Sequence, residues 1–508
     1  MVLFTRARNR EDTSVPSQGL AHVLTEGRPR SAPAPAPAPE QKKRAGIGPV
    51  PPRLGHNAPF AGRAANEPKP EVHRADTSQV AGLYPFLHPD TLPPVGAYIG
   101  YNVLTMRAFS AHPSVWVSEG LVTNPNVMIT GIPGSGKSAH IKALCLRLMA
   151  FGTRTLIAGD VKGEYAPLCR HLGYEPLLLG PGMPGRLNPL DAGPLGEGLD
   201  NITDRHLLAT RLTEIHRRRM SLIKALLELQ LRRPLLAEEE EAVSAAIREV
   251  TGELARRDTL TAPTLPTVHA ALMDPTEDMA YELRVRDKDI QATRELTRSI
   301  RAALGQMVNG HLGGLFDAET SSELDFTAPI QCVDISRMKD YGDDIVSMIL
   351  TCVSSWAQAA IDTPGPPRLV VRDELWRQMR SGGASQVRKI DSDLRLSRAD
   401  GTIQVLATHR LADFESVGAA DSEAVAIAKD MISSCETRIQ LAQDTRPLQQ
   451  IRDAVGLTDA ECDMISSWGK AHVGRALWKV GKTGSHPVQL HLTQMEEQLY
   501  HTDERMTV

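Results

Sequence analysis

The chain has 508 residues, 41% of them hydrophobic, and a formal net charge of −4, which suits a globular protein of two or three domains and excludes a fibre or a wholly disordered chain. Residues 1–75 hold 12 Lys and Arg against 6 Asp and Glu, so the remainder is acidic, which argues against broad coating of DNA. The six cysteines show no C-x-x-C pair and no histidine at metal spacing; neither a zinc site nor a disulfide framework is expected, and reduced thiols in a cytosolic protein are the default. No apolar run of 18 or more residues occurs, and the N-terminus lacks the apolar core of a signal peptide. Any membrane association is therefore expected through a partner, peripherally at the inner face.

In chain order, residues 1–75 carry Ala-Pro repeats from 32 to 39 and then Lys42-Lys43-Arg44, a composition that cannot build a core and reads as a disordered arm. Folded structure is expected from near Tyr84, with Gly96–Tyr101 as a strand and turn. Asn126–Thr130 reads as a short buried strand and His140–Phe151 as a helix, because Ile141, Leu144, Cys145 and Leu148 recur at helical spacing. Between them, Gly131-Ile132-Pro133-Gly134-Ser135-Gly136-Lys137-Ser138 matches G-x-x-x-x-G-K-[ST], the loop that wraps a nucleotide triphosphate. Its glycines let the backbone aim N–H groups at phosphate oxygens. Gly131, Pro133, Gly134, Ser135, Gly136, Lys137, Ser138 and Ala139 are thus candidate ATP-binding residues, with Lys137 reaching the β and γ phosphates and Ser138 holding Mg²⁺.

Thr155–Ala158 reads as a second strand, followed by the run Gly159-Asp160-Val161-Lys162-Gly163-Glu164-Tyr165, a helix through Cys169, a strand over Pro176–Gly180 and a loop over Arg186–Asp191. This alternation implies an α/β fold with a mostly parallel sheet. From about 200 to 312 the pattern turns to long Leu-, Arg- and Glu-rich helices broken by Pro263, Pro266 and Pro275, an all-helical insertion. The sheet pattern resumes with strands at Ile330–Ile335, Arg368–Glu374 and Thr402–Ala407, helices at 344–361 and 387–399, and strand candidates at 437–442 and 475–492. The domain reading is an arm (1–75), a first core part (76–199), the insertion (200–312), a second core part (313–492) and a polar, flexible tail (493–508).

A phosphate loop needs a carboxylate at the end of a buried strand. Asp373 fits as the Mg²⁺ partner and Glu374 as the group that polarises the attacking water. Arg372, a charge in an apolar strand, calls for an ion-pair partner. His409, after the next strand, is a candidate sensor of the γ phosphate, since a neutral imidazole offers one donor and one acceptor. Helical spacing puts Arg398 on the face of Val387, Ile390 and Leu394, where it either pairs internally or reaches a neighbouring subunit's nucleotide as an arginine finger, whereas Arg395 has Asp391 four residues earlier as an ion-pair partner. Lys162 and Glu164 follow a strand end facing the same crevice, where a role beside the nucleotide competes with a plain surface turn. The basic stretch through Arg205, Arg211, His216-Arg217-Arg218-Arg219, Lys224 and Arg232-Arg233 reads as a solvated helix face, with phosphate contact as the other possibility.

Five runs in this order resemble the HerA/FtsK superfamily of P-loop motors, and most closely the ATPases of conjugative type IV secretion systems, including the TraG and TraC types: Gly131–Ser138, Gly159–Tyr165, Arg186-Leu-Asn-Pro-Leu-Asp191, Asp373-Glu-Leu-Trp376 and Ala407-Thr-His-Arg-Leu-Ala-Asp413. The resemblance covers about residues 95–492. It implies a RecA-like core interrupted by a helical insertion, assembled as a homo-oligomer, usually a hexamer, that couples ATP hydrolysis to movement of DNA or a secreted protein substrate with membrane-bound secretion channel or coupling components. It is closest to shorter ATP-binding proteins of transfer regions in high-GC Gram-positive bacteria. Two departures are evident: His409 stands where the family has glutamine, and the long N-terminal domain and transmembrane helices of larger members are not expected here.

Overall fold

The computed structural model describes residues 92–501, except 181, 197, 254–260, 286–288, 311, 322–327, 339–340, 362–364, 410–421, 446–447, 449–451, 453–454 and 482–483. The N-terminal arm, the start of folded structure near Tyr84 and the Arg410–Asp413 part of the last motif lie outside the described residues.

One 11-stranded sheet organises the chain. Its strands are β1 (Ala97–Asn102), β2 (Ala108–Ala111), β3 (Val127–Thr130), β4 (Arg154–Asp160), β5 (Leu177–Leu178), β6 (Ile330–Asp334), β7 (Arg368–Arg372), β8 (Thr402–Thr408), β9 (Thr437–Gln440), β10 (Arg475–Val480) and β11 (Ser485–Leu490). They lie in the order β2-β1-β11-β10-β9-β3-β8-β7-β4-β6-β5. From β9 to β5 every pairing is parallel, and β10, β11, β1 and β2 extend the sheet antiparallel. The expected α/β P-loop nucleotide-binding fold with a mostly parallel sheet is what the chain adopts.

The central strands are mostly apolar because both faces are covered, with Arg372 and Gln404 as buried polar exceptions. Ile129, Val371, Leu369, Val405 and Ala407 pack with Ile141, Leu144 and Leu148 of the helix Lys137–Met149 on one face. Their chain neighbours Met128 and Leu406 face the other way, against Leu375, Met379, Ile390 and Leu394 of the helix Leu375–Leu396. Between β5 and β6 run the helices Arg205–Leu231, Ala237–Thr251, Leu265–Met273, Glu277–Glu282, Ile290–Leu296 and Arg298–Asn309. They share one core with the sheet: Leu222, Ile223, Leu226 and Leu227 join Val346, Ile349 and Val353 of the helix Asp343–Ile361 and Val333 of β6.

Two boundaries need correction. The helix read at 387–399 begins at Leu375 and ends at Leu396; the Gly382-Gly383 pair hid its first half, since glycine weakens a helical pattern without forbidding the helix. The segment read as a flexible tail forms the helix Gln494–Tyr500, capped by Thr493. It is docked on the phosphate-loop helix, where Arg147 grips Glu496 through Nε at 2.8 Å and a second nitrogen at 2.7 Å, and Lys142 Nζ donates to the Tyr500 carbonyl.

Candidate functional site

Four adjacent parallel strands, β3, β8, β7 and β4, deliver the candidate residues from their C-terminal ends, the edge at which open α/β sheets bind ligands. The loop after β3 is shaped by glycines in the left-handed region, Gly134 at φ 77° and Gly136 at φ 99°. A Cβ on Gly131 would lie 2.6 Å from Ser135 Oγ, and one on Gly136 would lie 2.9 Å from the Gly474 backbone. Ser135 Oγ is buried with no hydrogen-bond partner, and the helix that follows presents its open N–H groups at this loop. An anion fits this concavity: it supplies acceptors to an orphaned hydroxyl and to backbone donors at a positive helix end. Ser138 is the second residue of that helix, and Asp373 follows the end of β7. Among the described residues no group of three or more His, Cys, Asp or Glu could hold a metal, so a cation here would take one carboxylate and one hydroxyl from the protein and the rest from phosphate and water, as Mg²⁺ commonly does.

The turn after β4 shows why its residue types occur together. Asp160 accepts four backbone N–H bonds, from Lys162, Gly163 and Glu164 on Oδ1 and from Tyr165 on Oδ2, while Gly163 takes φ 74°. That scaffold aims Lys162 Nζ at Glu374 Oε1, 2.7 Å away, and the Tyr165 hydroxyl at Asp373 Oδ2, 3.0 Å away. Burial pushes the Asp160 carboxyl up to about 6 against the pull of the Tyr165 N–H, and Asp334 adds to the rise.

Glu374 stands at the centre. It is a non-glycine residue at φ 52°, and its N–H donates to Asp373 Oδ1 at 2.9 Å. Its Oε1 meets Lys162 and also His409 Nε2 at 2.9 Å, and its Oε2 accepts from the Trp376 indole. His409 Nδ1 lies 3.2 Å from Lys137 Nζ. An ammonium can only donate, so Nδ1 accepts, the imidazole proton sits on Nε2, and His409 bridges the phosphate-loop lysine to the carboxylate as a neutral ring. Burial opposes ionisation of Glu374, but the His409 hydrogen bond and the Lys162 charge outweigh it and hold the carboxyl well below the usual range. Asp373 is shifted the other way by burial, despite Lys137, with Glu374 adding repulsion.

Other sequence candidates land elsewhere. Arg372 finds a buried carboxylate, Asp393, at 2.8 Å, and bonds Ser354 and Gln404 as well. Arg395 pairs with Asp391 at 2.8 Å. Arg398 does not share the apolar face: the helix stops at Leu396, and Arg398 is exposed in the following turn. The basic stretch is largely tied to the protein itself, Arg218 and Arg219 to the carbonyls of Ser355 and Leu190, and Lys224, Arg232 and Arg233 to Glu240, Asp344 and Glu239. In the Arg186–Asp191 run, the Asn188 amide donates to the Pro263 carbonyl at 2.9 Å, pinning the insertion to the core. Trp376 was missed as a site residue; its place two positions after Glu374 was the available signal.

No protein-family model matches the chain, and no curated protein matches it by sequence. Among solved structures, VirB4 of Thermoanaerobacter pseudethanolicus superposes with a TM-score of 0.60 at 19% identity, over 80% of this chain and 99% of that one. The bacterial conjugative coupling protein TrwBdeltaN70 gives 0.49 at 13% identity, over 80% and 90%, and TrwB in complex with ADP and Mg²⁺ gives 0.46 at 12%, over 72% and 85%. At these identities the likeness, carried by VirB4, defines the fold.

Proposed function

We propose that this chain is a Mg²⁺-dependent ATPase that works as an oligomeric motor, a hexamer by the resemblance, in conjugative or type IV secretion-like transfer. The observation that supports it most is the continuous link from Lys137 through His409 to Glu374, set beside Asp373 at the edge where the phosphate loop opens. Lys137 and the loop amides hold the β and γ phosphates, Ser138 and Asp373 hold Mg²⁺, and bound Mg²⁺ would neutralise charge developing on the phosphates. Glu374 orients and deprotonates the attacking water, and His409 reports the state of Lys137 to it. Arg398, exposed beyond its helix, is the candidate finger toward a neighbouring subunit's nucleotide. DNA or a secreted protein is the cargo, and a membrane-bound secretion channel the partner. No helix among the described residues is long and apolar enough to cross a membrane, and the proposed place of action is the cytoplasmic face.

The test is ATP hydrolysis by wild-type protein and Glu374→Gln, with and without single- and double-stranded DNA, with mass recorded in solution. Turnover lost in the variant while ATP still binds, by a hexamer-sized particle, supports the motor; stimulation by DNA selects DNA as cargo. ATP binding without turnover under every condition would replace the motor by a nucleotide-gated scaffold.

A further inference from the structure

Three donors occupy the Glu374 carboxylate: Lys162 Nζ at 2.7 Å and His409 Nε2 at 2.9 Å on Oε1, and the Trp376 indole on Oε2. A carboxylate held this way has few lone-pair directions left for water, and a proton acceptor so engaged is a weak base. Its backbone sits in the left-handed region at φ 52°, a conformation that a non-glycine residue keeps only while its surroundings enforce it. The three donors are not equivalent. The Lys162 side chain is 42% exposed against 5% for Glu374, so its ammonium can turn to water, leaving the Glu374 carboxylate to His409 and Trp376. His409 is held at both ends, by the Lys137 ammonium 3.2 Å from Nδ1 and by Glu374 Oε1 2.9 Å from Nε2. Once Lys137 turns to a phosphate, Nδ1 loses its donor, and the ring is no longer fixed against Glu374 from the phosphate-loop side.

We infer that Lys162 is a positioning residue that restrains Glu374, and that a phosphate anion drawing Lys137 away from His409 starts the release of Glu374 from Lys162 and Trp376. This rests on the nucleotide reading above. It makes Trp376 a built-in reporter, because its indole bond to Glu374 breaks on release; of the other four tryptophans, Trp116, Trp356 and Trp478 are buried in the core clusters, and Trp376→Phe separates its emission from theirs and from that of Trp468.

The experiment titrates the full chain with Mg²⁺ and a non-hydrolysable ATP analogue, following tryptophan emission together with calorimetric affinity, in wild type, Trp376→Phe, Lys162→Met and Lys162→Arg. The expected result is a saturable emission change in wild type that is lost in Trp376→Phe with affinity retained. Lys162→Met should show, before nucleotide is added, emission shifted toward the bound value, and a severalfold higher kcat for ATP with little change in KM; Lys162→Arg should restore the wild-type values. Normal affinity with no Trp376-dependent change, or a Lys162→Met protein whose kcat falls, would overturn the restraint. Loss of analogue binding in wild type would instead remove the nucleotide reading itself, and the restraint with it.

Discussion

Charge gathers in two regions of this molecule, at the ends of β3, β8, β7 and β4 and along the helix Arg205–Leu231, and the two are built in opposite ways. At the strand ends Lys137, after β3, and Asp373 and Glu374, after β7, are all buried and converge, so each charge depends on the others and on whatever enters the opening. Along the helix Arg218 and Arg219 meet carbonyls and Lys224 a carboxylate, and just past its end the Arg232 side chain is 80% exposed beside Asp344. A site is thus marked by burial and convergence of groups that satisfy one another incompletely, as the orphaned Ser135 hydroxyl does, rather than by density of charge along the chain.

The largest expected effect tests the first region. Glu374→Gln should lower the rate of phosphate release by about 100- to 10,000-fold while nucleotide still binds; a comparable loss from a substitution in the basic helix would break the contrast. Next comes Arg372→Met, which removes the buried guanidinium that pairs with Asp393 and bonds Ser354 and Gln404. Urea denaturation should show a loss of about 3–5 kcal/mol, the usual consequence of breaking a buried pair from one side.

In the insertion, Glu239 is held by Arg233, with Ser299 assisting, and its carboxyl is lowered from 4.5 to about 2. A depressed carboxylate contributes stability that is fully present above its unfolded value and lost as pH falls through the folded one. Glu239→Gln should therefore lower stability at neutral pH, a deficit that shrinks between pH 4.5 and about 2, with hydrolysis unaffected at 25 °C. The smallest effect belongs to Lys224→Ala, whose pair with Glu240 is partly exposed on both sides. Denaturation should register less than about 1 kcal/mol, and unchanged affinity for DNA would confirm that this helix serves the fold.

Much was legible in the sequence because it is set by neighbours in the chain. The phosphate loop is a backbone shape that glycines at 134 and 136 permit; the turn from Asp160 to Tyr165 is closed by a side chain bonding to amides two to five residues on; the Arg395–Asp391 pair follows from one helical turn. Strands buried on both faces announced the parallel sheet. The tail helix Gln494–Tyr500 has a local start signal, the capping box of Thr493 and Glu496, but its pattern is short and polar and its docking depends on Arg147 and Lys142 of another helix; the turn containing Arg398 is hidden because helix ends are set by caps and packing more than by periodicity.

What tertiary structure alone decided is which charges touch. His409 reaches both Lys137 and Glu374 because β8 lies between β3 and β7 in the sheet, and Lys162 meets Glu374 across 212 positions because β4 flanks β7. Strand order in a parallel sheet is fixed by how crossover helices pack onto its faces, a long-range outcome that no local pattern records. The sequence thus determined the parts of the site, and the packing of helices on the sheet determined their arrangement.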